Sequence, residues 1–441
     1  MAMVVKNNMS AISTLNTLNK NSSALSKSLQ KVSSGMKING AADDASGYAI
    51  SERMRVQIRG LDQANANTQN GNSMMKVAEG AVSSTVDILK TLKEKVINAA
   101  NDTNTDTDRQ TIQKELDQSI DQIDDNANIT FNGKYLVDGS HNNKVTQTCT
   151  AMTNESLYST TNGSTGMTGL QNRSGESLNI HCTDNVTVSY VKQGKTFSTT
   201  FSIGNCTLDN VINSVSTAMN GTESGSSVIS LTGSTATIGI DTSENTVYTA
   251  DNGNALTLTA TGSGVNNQIS GFTISISDNT GAINKSANAV LDNFNETIRA
   301  QNKSDDNAMV LQVGTKANQA IKVGLTDMRS NALGLKGTDG ETLNVSTQVK
   351  ANAAINVLDN AIQKALDQQT TIGSVESRLN YTSSNLTTAS ENVQASESTI
   401  RDADMAKEMT EYTKNNVLLQ AAQSMLAQAN QSSSSVLSLL Q

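Results

Sequence analysis

The chain has 441 residues and a formal net charge of −9, and it contains no proline and no tryptophan. This length allows two to four domains, but the charged (17%) and apolar (36%) fractions lie below usual globular values, so the core should be thin. No apolar run reaches the roughly 7–15 residues of a signal-peptide core or the roughly 20 of a membrane span, which argues against general secretory export and membrane insertion.

The first 60 residues are basic although the whole chain is acidic. They carry eight Lys or Arg against three acidic residues, a charge of +5 that leaves −14 for the rest. An interaction arm, a membrane-surface helix and an organelle transit peptide compete as interpretations. The arm is favoured, because a transit peptide should be Arg-rich and the first Arg is Arg53. A nucleic-acid surface should interleave aromatic residues, and only Tyr48 is available.

The first helix carries a narrow apolar stripe. Its positions alternate in steps of four and three: Ala11, Leu15, Leu18, Ser22, Leu25, Leu29 and Val32. A stripe this thin suits a coiled-coil contact better than a globular core, so the helix needs a partner. The Gly and polar residues of 33–44 should interrupt it, and Asp43 or Asp44 should cap the next helix.

Two more helices and a hairpin follow. Helical spacing predicts a helix over roughly 44–100 and another over roughly 106–127. The run from Ile129 to Val137 predicts a hairpin, because its central Asn132-Gly133 tolerates the positive φ of a type I′ turn.

From about 141 to 303 the pattern changes to short alternating strands separated by Gly, Ser, Asn and Asp. The predicted strand positions are Val186/Val188/Tyr190, Phe197/Phe201/Ile203, Ile238/Ile240, Leu256/Leu258 and Phe272/Ile274/Ile276. One amphipathic helix, from Leu208 to Met219, interrupts them. This segment is predicted to be a separate inserted domain.

The spacing typical of helices then returns. Met309–Val313 and Ala320–Leu325 predict another hairpin, and helices are predicted over roughly 347–398 and 399–438. In the last helix an apolar position recurs every seven residues, with one intermediate position; the set is Met405, Met409, Tyr412, Leu419 and Leu426.

The predicted fold is therefore mainly α: a long coiled-coil helical bundle formed by both termini, with β-hairpins and an inserted β-rich (α+β) variable domain. The predicted domains are a terminal coiled coil (1–43 and 399–441), a helical bundle with hairpins (44–140 and 304–398) and the inserted surface domain (141–303).

Catalytic and metal-binding signatures are missing. There is no phosphate-binding Gly-Lys-Ser/Thr loop, no His-Glu-x-x-His helix and no Gly-x-Ser-x-Gly turn. His181-Cys182 stands alone without further ligands at metal spacing. The three cysteines, Cys149, Cys182 and Cys206, fit small buried residues at least as well as one disulfide plus a free thiol. No cofactor and no enzyme activity are predicted.

Both ends of the chain resemble bacterial flagellins. The matching amino-terminal motifs are Leu29–Ala45 with Ser33-Ser34-Gly35, Ile38-Asn39 and Asp43-Asp44-Ala45-Ser46-Gly47, and Phe131-Asn132-Gly133 with Leu136 in the hairpin. The matching carboxyl-terminal motifs are Leu311–Gly314, Ile400–Ala406, Met425–Gln431 and Val436–Leu440. The resemblance covers about 1–140 and 304–441, and it is loose within the insertion.

The resemblance implies a structural subunit of the bacterial flagellar filament, used for motility. It implies a secreted, extracellular protein that leaves unfolded through the flagellum-specific type III channel and polymerises with itself through paired terminal helices. The implied partners are an export chaperone and the filament cap protein, with no nucleic acid and no membrane. The assembly interface is predicted to comprise Leu15, Leu18, Leu25, Leu29, Val32, Met405, Met409, Tyr412, Leu419 and Leu426.

The resemblance also implies recognition by the flagellin-sensing Toll-like receptor of vertebrates through the helices corresponding to 88–120. The family's contact patch has an Arg, a Leu and a Glu that align with Thr91, Lys95 and Glu115, so only the Glu is retained. Glu94 and Asn98 are the other predicted contact residues.

Two alternatives from other classes remain open at this stage. One is a hook-filament junction or adhesin-like surface protein that uses the insertion to bind host or matrix. The other is an enzyme displayed on the filament, since two carboxylates of a glycosidase carry no sequence signature. The terminal motifs favour the filament subunit.

Overall fold

The computed structural model describes residues 8–219, 228–250 and 252–439. The helices in these ranges are α1 (Met9–Ser34), α2 (Ala45–Ala100), α3 (Asp106–Ala127), α4 (Leu208–Met219), α5 (Lys285–Leu291), α6 (Gln348–Arg401) and α7 (Met405–Leu439). The strands are β1 (Thr130–Phe131), β2 (Lys134–Tyr135), β3 (Ala151–Asn154), β4 (Asn185–Lys192), β5 (Lys195–Ser202), β6 (Ile229–Thr235), β7 (Thr237–Ile240), β8 (Thr246–Tyr248), β9 (Ala255–Ala260), β10 (Ile269–Ser277), β11 (Asn295–Ile298), β12 (Met309–Gln312) and β13 (Ala320–Val323). The fold class is confirmed.

The helix ends follow local capping rules. Gly35 ends α1 at φ 70°, a left-handed conformation that glycine adopts without steric cost, and its N–H donates to the Lys31 carbonyl at 2.9 Å. Asp44 caps α2 as predicted, because its Oδ1 accepts from the backbone N–H groups of Ser46 and Gly47, each at 3.0 Å. The first hairpin is also confirmed: Asn132 and Gly133 have φ of 50° and 77° between β1 and β2.

The last helix differs from its predicted start at 399. Helix α6 continues to Arg401, residues 402–404 are not helical, and α7 begins at Met405. The break lies where Asp402 forms an isolated bridge with Met36. This long-range contact diverts the backbone from the helix, and spacing within the carboxyl-terminal sequence alone does not reveal it.

The described chain divides into two compact units. The first comprises Met1–Thr68, Gln312–Gln319 and Tyr381–Gln441, within the described ranges. Here α1 packs against α7, and Leu61 and Ala64 of α2 form a small core with Leu386 of α6. Around this core, Ser383 donates to Asn65 at 2.7 Å and Ser390 to Asp62 at 3.0 Å. The unit is therefore a set of paired helices with little fully buried surface.

The second unit comprises Gln69–Leu311 and Ala320–Asn380. It contains an antiparallel sheet ordered β10-β4-β5, in which Tyr190 of β4 lies opposite Phe272 and Phe197. A second antiparallel sheet is ordered β11-β3-β9-β6, and two-stranded sheets join β7 to β8 and β12 to β13. Side chains of both larger sheets and of α4 and α5 share one apolar core that includes Tyr190, Phe272 and Val211.

The segment 141–303 packs closely on α6 within this second unit. Two asparagines one helical turn apart bind carbonyls of β10: Asn356 Nδ2 donates to Phe272 O at 3.2 Å, and Asn360 Nδ2 donates to Ser270 O at 2.9 Å. Between these two carbonyls lies Gly271, where an added Cβ would come within 2.8 Å of Val357 Cγ2. The strand therefore needs glycine to approach the helix at this point.

Two oppositely charged side chains are buried at the same contact. Glu296 of β11 is 4% exposed in its side chain; its Oε2 lies 3.4 Å from Arg299 Nε, and its Oε1 has no hydrogen-bond partner. Lys364 of α6 is 7% exposed, and its ammonium donates to Ala332 O at 2.7 Å. Burial raises the pKa of Glu296 to about 7 and lowers the pKa of Lys364 to about 8. Asp327 and Asp367 are the other charged groups, acting on Lys364 and Arg299 respectively.

A Glu296→Gln variant should lose part of the pH dependence of the protein's free energy of unfolding. Because the folded-state pKa of Glu296 lies above its ordinary value of 4.5, its stabilising contribution is present at low pH and is lost as pH rises through about 7. Between pH 5.5 and pH 8 the effect is on the order of 2 kcal/mol, since one pKa unit corresponds to about 1.4 kcal/mol and part of the contribution is already lost at pH 5.5. Urea unfolding at pH 8 and pH 5.5 measures it. The exposed Glu341→Gln is the control, and an equal pH dependence in both variants would contradict the assignment.

Candidate assembly interface

The pairing of α1 with α7 brings the two ends of the chain together. The contacts run in opposite directions along the two helices: Lys31 Nζ lies 3.6 Å from Glu408 Oε1, and Asn8 Nδ2 donates to the Ala429 carbonyl at 3.2 Å. The helices are therefore antiparallel. The inward-facing positions of α1 are Ala11, Thr14, Leu18, Asn21, Leu25, Ser28 and Val32, and those of α7 are Glu408, Tyr412, Asn415, Leu419, Ala422, Leu426 and Ala429, all buried or half-buried.

The predicted interface residues divide into two sets. Six of them lie half-buried between α1 and α7: Leu18, Leu25, Val32, Tyr412, Leu419 and Leu426. The other four are exposed, with relative exposures of 45% for Leu15, 52% for Leu29, 43% for Met405 and 45% for Met409. One set thus contributes to pairing within a chain, and the second remains available to another molecule.

The exposed apolar surface of α1 and α7 also includes residues that the predicted interface lacks. Five more large apolar side chains are exposed on the two helices: Met9, Ile12, Val417, Leu418 and Met425. On α1 the inward face also takes polar residues at every seventh position, Thr14, Asn21 and Ser28, in place of the predicted Leu15, Ser22 and Leu29. That seven-residue polar repeat is the signal that could have placed Leu15 and Leu29 outside the contact with α7. Each of its residues comes directly before a position of the predicted stripe and takes that position's place on the inward face.

The two interruptions in the helices meet at one junction in the first unit. The Lys37 N–H donates to Arg401 O at 2.8 Å, and the Ala403 N–H donates to Gly35 O at 2.9 Å. These bonds link the segment between α1 and α2 to the segment between α6 and α7. The junction therefore joins the two terminal motifs that carry the sequence resemblance.

Arg401 organises this junction. Its side chain is buried, it donates to Glu52 Oε1 at 2.7 Å, and its guanidinium lies 5.5 Å from the centre of the Tyr48 ring. The hydrogen bond from Arg401 holds the pKa of Glu52 below its usual range. Gly47 precedes Tyr48 in α2, and an added Cβ there would come within 2.8 Å of Ile38 Cδ1. The close packing explains why a small residue occupies position 47.

The predicted receptor-contact residues share a face of the second unit. Thr91, Glu94, Asn98 and Glu115 are exposed, and Lys95 is half-buried. Lys95 of α2 forms an ion pair with Glu115 of α3 at 3.1 Å. Two of the predicted contact residues, Lys95 and Glu115, are therefore paired with each other in the single chain.

Within the described ranges, no group of three or more His, Cys, Asp or Glu side chains is placed to hold a metal ion, and the three cysteines are free. In the same ranges no helix has the length and apolarity to cross a membrane.

Comparison with known proteins identifies the two ends. Residues 5–142 match the family described as the bacterial flagellin N-terminal helical region, and residues 355–440 match the bacterial flagellin C-terminal helical region. A flagellin of Clostridium tyrobutyricum is 34% identical over 431 residues, which cover 97% of this chain and 99% of the relative. A flagellin of Bacillus subtilis (strain 168) is 30% identical over 458 residues, covering 99% of this chain and all of the relative.

Among solved structures, the flagellar junction protein FlgL from Legionella pneumophila is 14% identical, with a TM-score of 0.33, and the match covers 80% of this chain and 99% of that protein. A likeness at this level supports no functional argument. The two terminal matches and the two full-length relatives show that the chain belongs to the bacterial flagellin family.

Proposed function

We propose that this flagellin, a structural subunit of the flagellar filament, polymerises by burying the exposed apolar side chains of α1 and α7 against neighbouring copies. The observation that carries the proposal is the exposure of Leu15, Leu29, Met405 and Met409 on a helix pair whose own contact is thin. Full burial of one such side chain contributes roughly 1.5–3 kcal/mol. A contact that repeats head to tail without closing produces a helical polymer.

The same proposal includes the route and setting of assembly. The subunit leaves the cell through the flagellum-specific export channel, with an export chaperone before export and the cap protein at the filament tip, and the filament serves motility. The helix pair suits such a route, because thin-striped helices are marginally stable until neighbours cover them. Family resemblance, rather than any contact in this chain, supports these partners.

A Leu15→Ser/Leu29→Ser variant tests the proposed surface. Both leucines are about half exposed in the single chain, so the folded monomer should change little while the polymer loses two buried anchors. Loss of about 2–3 kcal/mol should raise the critical concentration for seeded polymerisation roughly 30-fold to 150-fold. Pelleting and negative-stain microscopy measure this, with circular dichroism to confirm the fold.

The matched control is Asn16→Ser/Gln30→Ser, which introduces the same side chain at two exposed polar positions of α1. Its critical concentration should remain close to that of the parent chain. An unchanged critical concentration in the leucine variant would exclude Leu15 and Leu29 from the interface.

We also propose that vertebrate flagellin-sensing Toll-like receptor recognises the monomer weakly through Thr91, Glu94, Lys95, Asn98 and Glu115. Thr91 lacks the five donors of a guanidinium, and Lys95 places a hydrated ammonium where an apolar contact is expected. Its ion pair with Glu115 is a surface pair, with side chains 40% and 53% exposed, so the receptor can displace it at small cost.

A Thr91→Arg/Lys95→Leu variant should activate receptor-reporter cells more strongly than the parent chain, because it restores both side chains and frees Glu115. Interface anchors commonly contribute more than 1 kcal/mol, so a shift of about tenfold in the half-maximal concentration is expected. Adding Glu115→Ala should abolish the gain. If the double variant is no more potent, these positions do not limit recognition.

A further inference from the structure

The apolar contacts between α1 and α7 do not by themselves define how the two helices align. Inward apolar positions recur every seven residues, at Ala11, Leu18, Leu25 and Val32 in α1 and at Tyr412, Leu419 and Leu426 in α7. If one helix slides by seven residues along the other, most apolar side chains again meet apolar side chains. A repeat of this kind leaves alternative registers close in energy unless other groups distinguish them.

Polar side chains lie between these apolar layers. Asn415 Nδ2 donates to Ser28 Oγ at 2.8 Å, a contact between two side chains that is specific to one alignment. Asn21 Nδ2 donates to the backbone carbonyl of Leu418 at 3.2 Å, an acceptor that every alignment offers. Ser28 is only 7% exposed, which makes it the most buried residue of α1. These bonds connect residues 397 and 387 positions apart in sequence.

A slide of seven residues disrupts this pattern in either direction. In one direction Ser28 comes opposite Ala422, which has no side-chain partner to offer. In the other direction Lys31 leaves Glu408, its partner at 3.6 Å, and the last turn of α1 passes the start of α7 at Met405. An unpaired buried polar group disfavours the first slide, and the loss of this ion pair and of helix to pack against disfavours the second.

We infer that Ser28 and Asn415 are positioning residues that select one register of α1 against α7, with Asn21 as a further polar residue of the same contact. The junction bonds at Gly35 and Arg401 hold one end of the helix pair, and the polar residues act along the remainder. Register matters to a neighbouring molecule because a seven-residue slide moves the Leu15/Leu29 row by about 10 Å relative to the Met405/Met409 row. A neighbour that contacts both rows can bind only one offset.

This functional consequence rests on the proposed assembly surface, whereas the register itself is a property of the single chain. The test therefore measures register directly. Spin labels are attached to Thr17→Cys and Gln423→Cys, both at exposed positions, in the full chain with Cys149, Cys182 and Cys206 changed to Ser. Pulsed dipolar spectroscopy then reports the distance between α1 and α7, in the unassembled chain and in filaments diluted with unlabelled subunits.

With the native polar residues, one distance population is expected. In the Asn21→Leu/Ser28→Leu/Asn415→Leu variant, which makes the contact more apolar, a second population displaced by up to about 10 Å should appear. The control is Leu18→Ala/Leu419→Ala, which weakens the helix pair without removing polar contacts and should retain the single distance.

One unchanged distance in the triple leucine variant would overturn the inference, because the junction alone would then be sufficient to fix the register. A second distance in the control would overturn it as well, since general weakening would then produce the slide. If the triple variant forms no filaments, the distance between the labels in its unassembled chain decides whether the register has changed. A parent chain with the single native distance whose Leu15→Ser/Leu29→Ser variant polymerises normally would instead count against the assembly surface.

Discussion

Removal of residues 405–441 is expected to abolish polymerisation while leaving the second unit folded. The deletion takes away α7, and with it Met405, Met409, Tyr412, Leu419 and Leu426. Each side chain contributes roughly 1.5–3 kcal/mol when fully buried, so the combined loss is on the order of 10 kcal/mol. Helix α1 also loses its partner, and an isolated 26-residue helix with a thin apolar stripe is marginal in water.

Two measurements should separate these effects. Circular dichroism should show a loss of helix larger than α7 alone accounts for, because α1 unfolds with it. Seeded polymerisation should give no pelletable material at concentrations where the parent chain is fully assembled. The main unfolding transition of the second unit should not move. Normal filaments from the truncated chain would disprove the role assigned to the terminal helices.

Excision of residues 141–303, closed with a short Gly/Ser joint, is expected to preserve assembly but to lower the stability of the second unit. The joint is feasible because the first residues of the insertion lie beside the residues that follow it, so the two cut ends are close: the Asn307 N–H donates to Asn142 O at 3.2 Å, and Val145 forms a bridge with Ser304. The strands β12 and β13 remain in the chain and can still pair. The assembly helices are untouched.

The stability loss follows from the contact with α6. Excision exposes the buried Val357 and removes the β10 carbonyls that accept hydrogen bonds from Asn356 and Asn360. Lys364 becomes hydrated, which offsets part of the loss of stability. A second excised chain carrying Val357→Gln should recover stability if exposed apolar surface is the cause. Calorimetry and microscopy measure the two outcomes; loss of both folding and assembly would show that the insertion belongs to the core.

The sequence predicted the long helices well because their signals are local. The absence of proline, the cap at Asp44 and helical spacing identify α2 and α3 within a residue or two. Strands β4, β9 and β10 followed from alternation. Strand β3 was not predicted, because Ala151–Asn154 is buried on both faces and shows no alternation. Strands β6, β8 and β11 and helix α5 were also not predicted, since each is short or weakly patterned.

The contact between α1 and α7 was predicted in part, whereas the assembly interface remains a prediction. Spacing in fours and threes selected the two helices that pair and half of their inward positions, but it assigned Leu15 and Leu29 to the same stripe as Leu18 and Leu25. In the structure the first two are exposed and the second two half-buried. The separation depends on Asn21 and Ser28, whose partners lie almost 400 residues away. The three-domain division at 43/44, 140/141, 303/304 and 398/399 remains a prediction.

The antiparallel pairing of the two chain ends also determines when each part can fold. Its outermost hydrogen bond joins residues 421 positions apart, and closing a flexible loop of that length costs about 5 kcal/mol in chain entropy. If α2 and α6 pair first through Asn65 and Ser383, the remaining arms are short and the cost falls. Folding should therefore proceed from the middle outward. Helix α1 can therefore pair with α7 only after the whole of the intervening chain has been made.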